Sequence, residues 1–484
     1  AKPSPSAAAL PTATPVPASI EVPKLQAKLK ADPNDKEALA ELAGYELEAG
    51  KPQDALALTH RLLALGDVNA QAYYLDGLAN QSLGNIKGAI SDFQAATDRE
   101  PTNAEILMTL TNLYLQTGQA DKAEAVAKRA AVFHPSDEQA LLNYGLVLGQ
   151  EQKFEDARAQ FEKAAQLAPK DAEPYVLEAS TYVSQKADAL AQAEYAKALA
   201  IDPADTDALL GKARLQASDH DVKGAIATYD QLLPLVPNDA GKAALLVEEY
   251  TVYRDEKMYP QALAVLQHAE ATYPNEAAVH LAYGDYDAAI AKNLSGAGKE
   301  WNLANGPKRD NPDALQRLAQ LALTQGNHTL ALSDLERLTQ VAPDQPAAWT
   351  AYANVAAQNK DYTTARQAFG HAFALSRAPD SLAGIGAADF QLKNYKECGA
   401  IFEAIEQHDQ PFIKANPELL YIEGKCFAGS GQTDKARLAF TKFKGYVKPH
   451  TKLAADVDQI LRSLKMPPKK ADKPKPKATA TPHR

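Results

Sequence analysis

The chain is poor in cysteine, tryptophan and methionine, with two, two and three among 484 residues. Two cysteines exclude a disulfide-dense scaffold and any zinc site built from four thiolates. Aromatics are only 7% of the chain, and few runs alternate with the period of a strand. That argues against a sheet-based core. No run of about 18 or more apolar residues occurs, so no bilayer-spanning helix is encoded. The ten histidines never form an i, i+4 pair or an HExxH. No metal site is therefore expected.

Catalytic signatures are missing as well. There is no Gly-x-Ser-x-Gly elbow, and neither cysteine lies in a nucleophile signature. "GAGKE" (296–300) carries part of a phosphate-binding loop, but Asn293 stands where the first glycine belongs and Glu300 where a Ser or Thr is needed. No catalytic residue and no cofactor are assigned, and the chain is expected not to be an enzyme.

Charge excludes a further class of partner. The formal net charge is -10, yet residues 469–484 alone carry +5, leaving about -15 on residues 1–468. A body this acidic does not offer the basic stripe that nucleic acid requires.

What the chain has in abundance is small, helix-forming residues set on a strict period. Pro101, Pro135, Pro169, Pro203 and Pro237 are 34 residues apart each time. Twelve positions before each proline stands Ala89, Ala123, Ala157, Ala191 or Ala225. A large residue (Tyr73, Leu107, Leu141, Tyr175, Leu209) is followed four positions on by a small one (Gly77, Thr111, Gly145, Ala179, Ala213). Gly84 and Gly118 fall where a turn is needed. Each repeat reads as helix, short turn, helix, closed by a proline that cannot continue the second helix. Small residues at positions 8, 20 and 27 let two antiparallel backbones approach, and large ones at 4, 11 and 24 fill the gaps beside them.

This pattern resembles the tetratricopeptide repeat family over most of the chain. The resemblance implies an all-α, right-handed superhelical solenoid of about twelve repeats, starting near Lys36, Ala70, Ala104, Glu138, Ala172, Thr206, Ala243, Ala277, Pro312, Pro346, Pro379 and Pro417. Asp67 replaces the proline of repeat 1, and repeat 7 arrives three residues late. Repeat 8 is the weakest: it puts Gly296 at the small position and adds a residue before the next repeat. The expected organisation is a tail at 1–20, a repeat block at 21–275, degenerate repeat 8 at 276–311, a second block at 312–448, a capping helix at 449–466 and a basic tail at 467–484. Both tails are rich in proline and are expected to be disordered. The C-terminal one could touch an anionic surface.

In this family the first helices line the concave face, which implies partner contacts at positions 2, 5, 6, 9, 12 and 13. Position 5 holds Tyr74, Met108, Leu142 and Val176; position 9 holds Leu78, Asn112 and Leu146; position 6 holds Leu75, Asn143 and Leu177. The expectation is an apolar groove over repeats 2–5 that takes a segment of another protein, with Asn112 and Asn143 holding its backbone amides. The lysines of a carboxylate-clamping groove are missing, since Met108, Glu173 and Leu177 occupy their places. The alternative is a receptor for a small ligand or short peptide held inside the superhelix.

Cys398 falls on the second helix of repeat 11 and Cys426 on the first helix of repeat 12, neighbours in a stacked array. They could form a disulfide or be two buried small hydrophobes. The Pro/Ala-rich opening that begins at Ala1, and the scarcity of cysteine, lead to an expectation of a periplasmic or exported protein whose leader has been removed, with a cytoplasmic protein as the alternative. By family analogy its role would be assembly of a bacterial cell-envelope or export complex.

Overall fold

The helices begin where a short polar side chain can cap them. Asp35, Asn69, Asn103, Asp137 and Asp205 each accept a hydrogen bond from the backbone N–H three residues on, opening the first helices of repeats 1, 2, 3, 4 and 6. Asn311 does the same at repeat 9. The structure, a computed structural model, describes residues 18–66, 69–446, 448 and 452–464. Among them there are 27 helices and no strand, an all-α solenoid of helix–turn–helix repeats. The expected tails lie outside the described residues, apart from residues 18–20, which are not disordered as expected but open the helix Ala18–Ala31. Asp67 also lies outside them.

By contacts the chain divides into two compact units, Ala1–Pro237 and Asn238–Arg484. They are called here the N-terminal and C-terminal blocks. The division falls one repeat ahead of the degenerate repeat 8. Observed first helices start at Lys36, Ala70, Ala104, Glu138, Glu173 and Thr206 in the N-terminal block. In the C-terminal block they start at Asp239, Ala277, Pro312, Pro346, Pro379 and Glu418. Repeat 7 absorbs its late arrival by lengthening: its first helix, Asp239–Asp255, is 17 residues long and is capped by Asn238.

Within each repeat the joint is a small residue facing a ring. A Cβ on Gly77 would come within 2.7 Å of the Phe93 ring, and one on Gly386 within 2.8 Å of Phe402. Phe93, Phe161, Phe402 and Phe440 are fully buried. Ala55, Ala89, Ala123, Ala157, Ala191, Ala225, Ala262, Ala331, Ala365 and Ala436, all at position 20, have no exposed surface. Truncating one of these rings to alanine would cost about 3–5 kcal/mol. The turn between helices needs one left-handed residue, which Gly84 supplies at φ +75. Gln152 and Lys186 take the same conformation at the equivalent place, at φ 61 and 56.

Repeat 8 corrects one expectation. Its first helix, Ala277–Tyr286, runs into a π-turn at Asp287–Ala291 before the second helix, Leu294–Asn305. A π-turn holds one more residue per turn than an α-helix. Everything after it is therefore shifted by one. Ala297, not Gly296, takes the buried alanine's place, and Trp301 is the ring that packs on Gly284. The extra residue sits between the two helices, not before the next repeat.

At the end of the C-terminal block, Lys452–Ser463 packs on the helix Thr433–Lys444. Val457 joins Phe440 and Phe443 in one apolar cluster. Cys398 and Cys426 are joined in a disulfide, with Cα atoms 5.8 Å apart. The bond ties helix Tyr395–His408 to helix Glu418–Gly429.

Candidate peptide-binding hollows

The first helices place the ten expected groove residues of the N-terminal block in three different situations. Leu142 is 1% exposed and clusters with Ala131 of the preceding repeat. Leu75 is buried too, on a helix packed against both helices of repeat 1. These two belong to the core and do not line a surface, because positions 5 and 6 edge the seam with the preceding repeat. Tyr74, Leu78, Met108, Val176 and Leu177 are half-buried. The Tyr74 ring lies 5.6 Å from that of Phe93, and its hydroxyl donates to Glu105 at 3.0 Å. Burial, then the neighbouring Glu105 carboxylate, holds the Tyr74 phenol above its ordinary range.

Asn112 and Asn143 are brought together, but on each other. Asn143 Nδ2 donates to Asn112 Oδ1 at 3.1 Å. The two amides thus meet through a single hydrogen bond, and the buried Asn143 Oδ1 is left without a partner. Leu146 is the one exposed member of the apolar set. With Leu177 it lines a hollow of about 210 Å³ between the first helices of repeats 4 and 5. Gly149, Ser180 and Ser184 are among its other lining residues.

A larger hollow, about 900 Å³, lies wholly within the C-terminal block. It is formed by the first helices Pro346–Gln358 and Pro379–Gln391, with Leu419 at its edge. Phe369 and Tyr362 form the floor. Gly384 lets that floor rise, since a Cβ there would stand 2.7 Å from the Phe369 ring. Around this floor stand Thr350, Asn354, Gln358 and Gln391. The three amide side chains are exposed, and none has a hydrogen-bond partner among the described residues. Asp380 adds one carboxylate. An unengaged amide offers both a donor and an acceptor, which is what an extended peptide backbone needs.

The expected groove covers repeats 2–5, whereas these residues stand on repeats 10 and 11. Carried on to repeats 10 and 11, the same register gives Thr350 at position 5, Asn354 at 9, and Gln358 and Gln391 at 13. A second grouping was also missed. The Glu270, His280 and Glu300 ligand atoms lie within 4.8 Å of one another, on three helices of repeats 7 and 8.

Three family models, each described as tetratricopeptide repeat, match the chain. One matches 82–142, another 41–105, 184–240 and 317–381, and the third 138–171. Together they cover more than half of its length. A protein described as CTR9 homolog, from Arabidopsis thaliana, is 34% identical over 76 residues. That match spans 16% of this chain and 7% of that protein. Among solved structures, YrrB, described as a TPR protein with an unusual peptide-binding site, is 22% identical with a TM-score of 0.34. It covers 38% of this chain and 95% of its own. PilF of Pseudomonas aeruginosa is 20% identical with a TM-score of 0.34, covering 45% and 96%.

Proposed function

Because the chain belongs to the tetratricopeptide repeat family, we propose that it is a non-enzymatic scaffold that holds an extended segment of another protein. The hollow of the C-terminal block is the principal seat. The observation that carries this reading is the set of three unengaged amides, Asn354, Gln358 and Gln391, around an apolar floor. Tetratricopeptide repeats generally mediate protein–protein interaction, and a hollow of about 900 Å³ is of the size that ligands occupy. Apolar side chains of the segment rest on Phe369 and Tyr362, and its backbone meets the amides. The same dimensions support the second reading, a short free peptide or small ligand in place of a protein.

We place the protein in an oxidising compartment such as the bacterial envelope, with assembly of an envelope or export complex as its role. The Cys398–Cys426 bond supports that location, since such bonds persist where thiols are not kept reduced.

The test is selection of a displayed peptide library on the full chain. Enriched peptides should lose about tenfold or more in affinity to a variant carrying Asn354→Ala and Gln358→Ala, since two hydrogen-bonding side chains are removed. Leu146→Ala should leave them bound. Peptides indifferent to the double variant would refute the assignment of the hollow.

A further inference from the structure

Repeat 8 departs from the pattern in its turn, and the departure gathers an unusual set of side chains. His280, on the first helix of repeat 8, is buried, its side chain only 5% exposed. Its Nε2 lies 2.9 Å from the backbone carbonyl of Pro274 and its Nδ1 lies 2.8 Å from Glu300 Oε2. A proton on Nε2 satisfies the carbonyl. The other nitrogen faces a carboxylate at hydrogen-bond distance, a contact that a second ring proton closes and that a cation can close in its place. Glu270, from the second helix of repeat 7, brings a second carboxylate to the same spot.

From this geometry we infer that Glu270, His280 Nδ1 and Glu300 form a binding site for a divalent first-row transition cation of the zinc class. The donor set is one imidazole nitrogen and two carboxylates, with the side of the partly exposed Glu270 open for a water as fourth ligand. The Nε2–H to the Pro274 carbonyl is the outer-shell bond that fixes a metal-binding histidine's tautomer and aims its other nitrogen. Ligand atoms around a tetrahedral zinc ion at about 2.0–2.1 Å stand about 3.3 Å apart. The Nδ1–Oε2 pair has to open by about half an ångström to meet that, and Glu270 has to draw in. Both carboxylates sit on side chains that are only partly buried. The field there is negative: after burial, the carboxylates of Glu270, Asp287 and Glu300 all push the Tyr283 phenol upward. A cation would fasten the second helix of repeat 7 to both helices of repeat 8, across the π-turn.

The full chain, stripped with chelator, is titrated with zinc chloride by calorimetry and with cobalt(II) by visible absorption. The expected result is one equivalent bound, with the intense visible bands of a tetrahedral cobalt site. Glu270→Gln leaves the His280–Glu300 pair intact, so it tests the site without threatening the fold. It should weaken binding by about tenfold or more, and His280→Asn should abolish the cobalt bands. Absence of binding by the wild-type chain, or binding that Glu270→Gln leaves unchanged, would overturn the inference.

Discussion

In the N-terminal block the groove amides hydrogen-bond to each other, while in the C-terminal block they stand open around a hollow four times as large. Both blocks are built from the same repeat, with a small residue against a ring at each joint. The difference lies at positions the joint does not use. Tyr74 and Leu78 pack part of their bulk against the first block's core. Ala357, Gly384 and Ala387 leave the second block's concave side vacant. An apolar strip on a helix is therefore weak evidence for a partner surface, because it can be closed from within.

The disulfide gives the sharpest contrast, since both cysteines lie in the C-terminal block. Reduction should destabilise repeats 11 and 12 by about 3.5 kcal/mol, the loop-closure value for a bridge spanning 28 residues. Amide exchange should report faster opening there and no change before Pro237. An equal response in both blocks would break the comparison, and so would two free thiols in the denatured, unreduced protein.

A joint in the N-terminal block supplies the converse experiment. Gly145→Val places branched carbons on the Phe161 ring, which has nowhere to go. The expected loss is about 1–3 kcal/mol, read as a lowered urea midpoint for that block alone.

Titration separates the blocks more gently. Burial, then the Glu406 carboxylate, raises Glu423 to about 8 in the C-terminal block. In the N-terminal block burial, then Asp76, raises Asp92 to about 6. Each group is protonated in the fold at a pH where the unfolded chain has already released its proton, so stability falls as pH rises. For Asp92 the fall runs from about 4 to about 6; for Glu423 it runs from about 4.5 to about 8. Between pH 6 and 8 only the C-terminal block should weaken on this account, by at most about 1.4 kcal/mol per pH unit. Urea melts followed by amide exchange would show it, and Glu423→Gln should flatten the slope. A slope that survives that substitution would assign the effect elsewhere.

Much of the fold could be read along the chain. The prolines, position-20 alanines and capping Asp or Asn residues recur every 34 residues because each helix pair meets its neighbours in the same way. Repeat 8 was legible as irregular but not as a π-turn, because one inserted residue can be absorbed at several places. Of the expected groove residues, Leu146 and Leu177 line a hollow, while Leu75 and Leu142 were not recognisable as core. Exposure at positions 5 and 6 depends on how closely the preceding repeat lies, and local spacing does not contain that distance.

The amino-acid order alone determined the helix pairs, their joints and the family, since those follow from contacts within about 34 residues. Which concave positions stay open, which amides remain unengaged, and that Glu270, His280 and Glu300 converge were decided only when successive repeats stacked. Side-chain volume sets the joint inside a repeat. The space left over between repeats is a residual of several such joints, and a residual of that kind appears only in three dimensions.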